Sequence, residues 1–475
     1  MDVRPFWLAG RPATGEDEIT VTNPYDGRVV GAAAVPTPEQ VERAVAAADA
    51  VRRTAAALPV HVRAEALAHV SRRLAERAAE VAELISAENG KPIMWARAEV
   101  SRAVSTFRFG AEEARRLGGE MMRLDTEPAG EGRVALVTRQ PYGPVLGITP
   151  FNFPLNLVAH KVAPAIAVGA PVIIKPAPAT PLSALLLGEL LAETGLPEGM
   201  FSILPLPNER AAALVADPRL PVVSFTGSAP VGFAIAERVP RKHVTLELGG
   251  NAAAVVLADA DLEWAATRIA LYANYQAGQS CIAVQRVLVH QEVYDEFADR
   301  LVAKVKALVT GDPADERTQV GPMISEQAAR RVEQWVREAV EAGGRLLAGG
   351  GRTGAVVEPT VLADVPDDAK VCREEVFGPV LVLRRVASVD EAFAVVNDSA
   401  YGLQAGVFTT SLATAFRAAK ELEVGGVIIG DVPSYRADQM PYGGVKDSGV
   451  GREGLRAAME DYTYPRTTVL TGLTL

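Results

Sequence analysis

Two cysteines occur in this 475-residue chain, and one of them, Cys281, stands in the segment "QAGQSCIAVQ" beside Gln279 and Ser280. A thiol there suits either of two roles. It is a small buried hydrophobe, the commoner use of a lone cysteine, or a partly exposed nucleophile, which Gly278 favours by allowing close backbone approach. A nucleophilic thiol needs a base, and Glu247 in "TLELGGN" ends an apolar strand just before two glycines. That carboxylate is either a salt-bridged strand residue or a group whose raised pKa suits proton abstraction near neutrality. Asn152, in "ITPFNFPLN", falls at a strand-to-helix junction, where its amide caps a turn or donates to a developing oxyanion. The five histidines, at 61, 69, 160, 243 and 290, lack the spacing of metal ligands, so no metal site is expected.

Two glycine patterns invite a phosphate-binding reading. "GVGREG" at Gly449–Gly454 fits the dinucleotide template G-x-G-x-x-G, but it follows "YGGVKDS" instead of a strand and stands too near the C-terminus for a βαβ unit. It is rejected as a fingerprint. In "SFTGSAPVG" an apolar strand runs into Gly227 and Ser228 and a helix begins, which turns backbone amides and a hydroxyl toward an anion.

These residues must be placed by elements whose order is readable. The segment from Thr37 to Ala87 is Ala-rich with helical spacing, capped by Thr37 with Pro38 in the first turn, and predicts a helical hairpin followed by a helix over 97–117. "RVALVTRQPYG" predicts a strand reaching out of its domain. Then "PVLGITP", "PVIIKPA", "MFSILPL", "VVSFTGS" and "HVTLELGG" alternate with helical stretches, the punctuation of a parallel, doubly wound sheet. The rhythm restarts after Gly249 and Gly250 with "AAAVVLADAD", "QRVLVH", "EEVFGPVLVLRRV", "AGVFTT" and "GGVIIG", a second α/β unit, and that glycine pair is either the boundary or a tight turn. Hydrophobic residues at 49% and charged residues at 22% fit a globular chain. A formal net charge of −10 argues against nucleic acid as a partner. With two cysteines, no signal-peptide pattern and no continuous apolar span, the chain is expected to be cytoplasmic, with no membrane partner.

Taken together, "TPFNFP", "KPA" at Lys175, "FTGS", "ELGGN", "GQSC", "EEVFGPV" and "PYGGVKDSG" resemble, in order and approximate spacing, the NAD(P)-dependent aldehyde dehydrogenases. The resemblance runs from about Asn23 to Tyr462. It implies Cys281 as nucleophile, Asn152 with the Cys281 backbone N–H as oxyanion hole, and Glu247 as general base. Lys175 would hold the adenosine ribose, Ser228 the pyrophosphate, and Glu375 and Phe377 the nicotinamide side, with Thr149, Pro150, Phe151, Gly227 and Leu248 completing the cofactor site for NAD or NADP. Cys372 has no implied role. The implied architecture is α/β: a Rossmann-like doubly wound dinucleotide-binding domain from 1–122 and 141–248, a catalytic α/β domain over 249–445, and a small β oligomerisation arm from 123–140 and 458–475. The arm implies a homodimer or homotetramer, because the tail "TTVLTGLTL" would otherwise be an exposed edge strand.

The chain departs from the family where many NAD-preferring members carry Glu three positions after the lysine and this one has Pro178, which removes a repulsion against a 2′-phosphate. The helix after Asn152 presents Asn156 and His160, where members acting on apolar aldehydes carry Leu and Trp. With Arg102, Phe153, Ser280, Ile282, Tyr435 and Arg436, these residues imply a polar substrate tunnel and a small aldehyde: lactaldehyde-like, hydroxy- or anionic, with phosphono-, phospho- and semialdehydes as alternatives. Arg102 equally reads as packed against acids of its own helix. Retention of Glu247 favours water over coenzyme A as acyl acceptor, and the cofactor residues argue against a simple thiol esterase.

Overall fold

The computed structural model describes residues 3–472. Thr37 accepts from the Gln40 backbone N–H while the Gln40 side chain accepts from that of Thr37, a closed capping box that starts the helix Pro38–Ala57. The expected hairpin is three helices, Pro38–Ala57, Val60–Glu76 and Ala78–Asn89. Pro59 interrupts the first pair, having no N–H to continue a ladder. The third ends on Gly90 at φ 75°, where a Cβ would meet Pro322 at 2.7 Å. The helix Ile93–Arg116 follows.

Five parallel strands form the centre of an eight-stranded sheet. Across the sheet they run His243–Glu247, Val222–Thr226, Val145–Ile148, Val172–Lys175 and Phe201–Ile203. The chain moves outward in one direction from Val145–Ile148 and then restarts on its other side with Val222–Thr226, so the strand order reverses between those two. In open α/β sheets the crevice at such a switch point, beyond the carboxyl ends, is where ligands bind. "GVGREG" has a structural job instead: Gly449–Val450 is a short strand antiparallel to Leu246 and Glu247.

A second, seven-stranded sheet is parallel from Thr360–Ala363 through Gly426–Ile429, with only Arg345–Ala348 antiparallel at one edge. Strands Glu120–Arg123, Arg133–Pro141 and Thr463–Thr471 make a separate antiparallel sheet. Residues 473–475 of the expected arm lie outside the described residues. A further three-stranded sheet, of Val3–Arg4, Val29–Val35 and Asp17–Thr22, has no counterpart in the sequence reading. One apolar core runs from Phe6 to Leu248 and takes in Leu455, Met459 and Tyr462; separate cores lie within 253–432.

Candidate active site

The parallel registers pair Ile148 with Lys175 and Thr226 with Glu247, so Thr149, Lys175, Gly227 and Leu248 all emerge at one edge of the first sheet. Ser228 is the N-cap of the helix Ala229–Arg238, yet its side chain makes no capping hydrogen bond, leaving the hydroxyl and the first amides for an anion. Thr149 and Lys175 stand deeper: the Thr149 N–H donates to the Lys175 carbonyl at 3.2 Å. The Lys175 ammonium donates to Asn208 Oδ1, and burial pulls its pKa down to about 8. Glu375 accepts from the Gly250 N–H at 3.0 Å, and a Cβ on Gly249 would fall 2.5 Å from its carboxylate, so a side chain there would push the Glu375 carboxylate aside. Burial pushes Glu375 up to about 7. Phe377, at φ 47°, meets Phe151 edge to face at 5.9 Å. An adenosine group, a diphosphate and a planar ring require a buried cation, a helix N-terminus with a free hydroxyl and a glycine floor, and these residues supply all three.

Cys281 is carried by a strained loop. Following the helix Leu262–Asn274, Gln276 and Ala277 have φ of 53° and 55°, and Gly278 has φ 69°. A Cβ on Gly278 would lie 2.1 Å from the Gly378 carbonyl, which is the close approach expected of that glycine. Gln279 Oε1 accepts from the Ile324 N–H at 2.8 Å, and Tyr275 donates to Ser280 Oγ at 2.6 Å, pinning the loop on both sides of the thiol. The Cys281 sulfur is half-buried and 3.0 Å from the Tyr442 hydroxyl. Burial pushes its pKa up to about 12, opposed by the Tyr442 hydrogen bond and the Arg436 charge and reinforced by Glu375 and Glu247.

Asn152 donates through Nδ2 to the Gln279 carbonyl at 2.9 Å, so one of its two amide hydrogens ties it to the cysteine loop and the other remains for a ligand. Its segment is held from below. The Lys91 ammonium donates to the Asn152 carbonyl at 2.8 Å and pairs with Glu99, whose Oε1 accepts from the Leu155 and Asn156 N–H groups at 2.9 and 3.0 Å. Asn89 donates to the Phe151 carbonyl at 2.8 Å. Glu247 is 3% exposed and both its oxygens are buried without a hydrogen-bond partner. Burial and the nearby Glu453 charge drive its pKa well above the usual carboxylate range, against the pull of Arg436, Lys161 and Arg452.

Cys281, Glu247 and Asn152 share one cavity of about 490 Å³. One wall is Pro150, Phe151, Gly227, Ser228, Leu248, Glu375 and Phe377, the other Arg102, Phe153, Asn156, Ser280, Ile282, Tyr435 and Arg436. His160, expected on this wall, sits behind it, 1% exposed, with Nε2 2.9 Å from Asp438. Asp438, absent from the sequence reading, organises that corner: it also accepts from Arg102 Nη2 at 2.8 Å and Asn156 Nδ2 at 3.2 Å. Arg102 thus pairs with a distant acid, Asp438, and not with one of its own helix. Arg436 donates to Glu453 at 3.0 Å, and Glu453 also accepts from Lys161 at 3.0 Å, a buried ion cluster beneath Glu247. Trp95, Arg268, Tyr272, Tyr275 and Tyr442 also line the cavity and were not among the expected site residues. Trp95, Arg268 and Tyr272 lie outside the quoted motifs and only the fold brings them in, whereas Tyr275 directly precedes the cysteine segment and Tyr442 stands inside "PYGGVKDSG". Among the described residues no group of three or more His, Cys, Asp or Glu is arranged to hold a metal ion.

A half-buried thiol and an unpartnered, hard-to-ionise carboxylate lining one cavity are groups that suit covalent catalysis. The model of the aldehyde dehydrogenase family matches residues 11–468. The chain is 44% identical over 467 residues to a 3-sulfolactaldehyde dehydrogenase of Priestia aryabhattai, covering 98% of this chain and 97% of that protein. It superposes with a TM-score of 0.97 on the crystal structure of aldehyde dehydrogenase 21 from Physcomitrella patens in complex with the reaction product succinate, at 45% identity over 99% of this chain and 98% of that one. An NADP-dependent glyceraldehyde-3-phosphate dehydrogenase from Bacillus halodurans, complexed with NADP, gives a TM-score of 0.96 at 36% identity over 99% of this chain and 100% of that one. This chain belongs to the aldehyde dehydrogenase family and is an NAD(P)-dependent aldehyde dehydrogenase.

Proposed function

We propose that Cys281 attacks the carbonyl carbon of a small polar aldehyde that carries a hydroxyl or an anionic group, and that the product is released as the carboxylic acid. As the C–S bond forms, the carbonyl oxygen becomes an oxyanion facing the free amide hydrogen of Asn152 and the Cys281 backbone N–H. The chemistry that NAD or NADP would supply here is a hydride acceptor for the thiohemiacetal carbon held on Cys281. Ser228 with Gly227 would hold its diphosphate, Lys175 the ribose, Glu375 and Phe377 the nicotinamide end, with Thr149, Pro150, Phe151 and Leu248 around it. Glu247 then takes a proton from water, whose oxygen attacks the thioester carbon, and the Cys281 sulfur leaves. The observation that carries this reading is the pair of unpartnered Glu247 oxygens in the same cavity as the Cys281 sulfur.

The substrate class rests on Arg102 and Arg436, two cations on the cavity wall. Sulfolactaldehyde bears a sulfonate and a hydroxyl, succinate a second carboxylate, and glyceraldehyde 3-phosphate a phosphate, so all three similar proteins handle anionic compounds. Arg102 is braced by Asp438 through Nε and Nη2, which leaves Nη1 without a hydrogen-bond partner among the described residues and supports an oriented clamp. The test compares kcat/KM for succinic semialdehyde and butanal, which differ by a terminal carboxylate. A preference of about 10-fold or more for the anion, lost in Arg102→Ala, is expected. Equal values for the two aldehydes would overturn the anionic reading and leave hydroxyaldehydes.

The same reading assigns residues 1–122 and 141–248 to cofactor binding and 249–445 to the catalytic domain, supported by the separate cores. It takes 123–140 and 458–475 as the arm of a homodimer or homotetramer. Among the described residues no helix is long and apolar enough to cross a membrane, and a cytoplasmic setting fits the two free thiols.

A further inference from the structure

We propose that Tyr442 is a further catalytic residue, whose phenolic hydroxyl donates a hydrogen bond to the Cys281 sulfur and stabilises the attacking thiolate. This rests on Cys281 being the nucleophile. The sulfur and the hydroxyl oxygen are 3.0 Å apart, and among the described residues the hydroxyl has no other hydrogen-bond partner. In the neutral pair either atom can donate. Once the thiol ionises, the sulfur can only accept and the phenol must donate, so the contact strengthens as charge develops.

Tyr442 is built to stay in this place. It is 3% exposed, and its backbone exchanges hydrogen bonds with Glu453, N to O at 2.9 Å one way and 2.7 Å the other. The Arg436 guanidinium carbon lies 3.7 Å from the ring centroid and its Nη2 is anchored on Glu453 at 3.0 Å. A cation over the ring draws electron density from the phenol and makes its O–H a stronger donor. The hydroxyl does not itself titrate in this role: burial and the Cys281 and Glu247 charges hold its pKa well above that of an ordinary phenol. The proton of Cys281 therefore leaves to solvent in the free enzyme, and Tyr442 keeps its own. Of the other charged groups that act on the sulfur, Glu375 and Glu247 oppose the thiolate and Arg436 favours it, and Tyr442 is the one direct hydrogen-bond partner of Sγ among the described side chains.

The test is the pH dependence of Cys281 alkylation by iodoacetamide in the full-length enzyme without cofactor, followed by mass spectrometry; sulfur bonds to carbon as iodide leaves. Tyr442→Phe keeps the ring and the Arg436 stack. It is expected to move the midpoint up by about one pH unit and to slow alkylation about tenfold below it. Site-specific 3-fluorotyrosine at 442, a stronger donor, is expected to move the midpoint down. The same midpoint in all three proteins would overturn the proposal. If alkylated Cys281 still supported aldehyde oxidation, the nucleophile assignment itself would fall; inactivation with an unmoved midpoint would sink Tyr442 alone.

Discussion

Glu247 is the residue whose environment departs furthest from what its type prefers. A buried carboxylate normally finds donors for both oxygens. This one has none, and Glu453 stands near enough to oppose its ionisation, while Lys161 and Arg436 claim the Glu453 oxygens. A raised pKa means that Glu247 is protonated at low pH and gains the ionised form its proposed role needs as pH rises through that pKa, so kcat should climb across an acid-side limb. Replacing Glu453 with Gln removes the opposing charge. The limb should then shift to lower pH by about one unit, as a pH profile of kcat would record; an unmoved limb would show that burial alone sets the pKa. The sequence already exposed Glu247, because a carboxylate in an apolar strand before two glycines is conspicuous. Glu453 was hidden in the glycine pattern rejected as a dinucleotide fingerprint, and its role exists only because Gly449–Val450 pairs back onto Leu246 and Glu247.

At the scale of elements, the site depends on two supports outside the motifs. Lys91 and Glu99, with fully buried side chains, pin the Asn152 segment from the end of one helix hairpin and the face of the next helix. Lys91→Met leaves the Glu99 charge unpaired and should cost about 3–5 kcal/mol, read from urea unfolding. Replacing both with apolar residues should cost less, and a larger loss in the double variant would argue that the pair stabilises by more than mutual neutralisation. The second support is the turn before Cys281. Gly278→Ala places a Cβ against the Gly378 carbonyl at a positive φ, so activity should fall with little change in cofactor affinity. Strands and parallel pairing were legible because apolar runs alternate with helical periodicity. The splitting of 38–89 into three helices was not, since Ala-rich stretches keep their period across Pro59 and Arg77. Buried ion pairs such as Lys91 with Glu99 were equally illegible, because a charged residue in a helix reads as a solvated one until the packing is known.

At the scale of the molecule, the three-stranded arm exposes Met121, Met122, Leu136, Val469 and Leu470, and its outer strand Thr463–Thr471 pairs on one side only among the described residues. Unpaired edges and exposed apolar side chains favour association. Truncation before Thr463 should convert the proposed dimer or tetramer to smaller species in light scattering; a chain that is already monomeric would contradict the oligomeric reading. The proposed reaction nonetheless turns on division of labour between Cys281 and Glu247, which line one cavity. The most direct measurement is therefore the pre-steady-state formation of reduced nicotinamide in Glu247→Gln. Acylation should give a burst close to one equivalent per active site, with steady-state turnover lowered about 100-fold or more. Equal loss of the burst and of turnover would contradict Glu247 as the base for thioester hydrolysis.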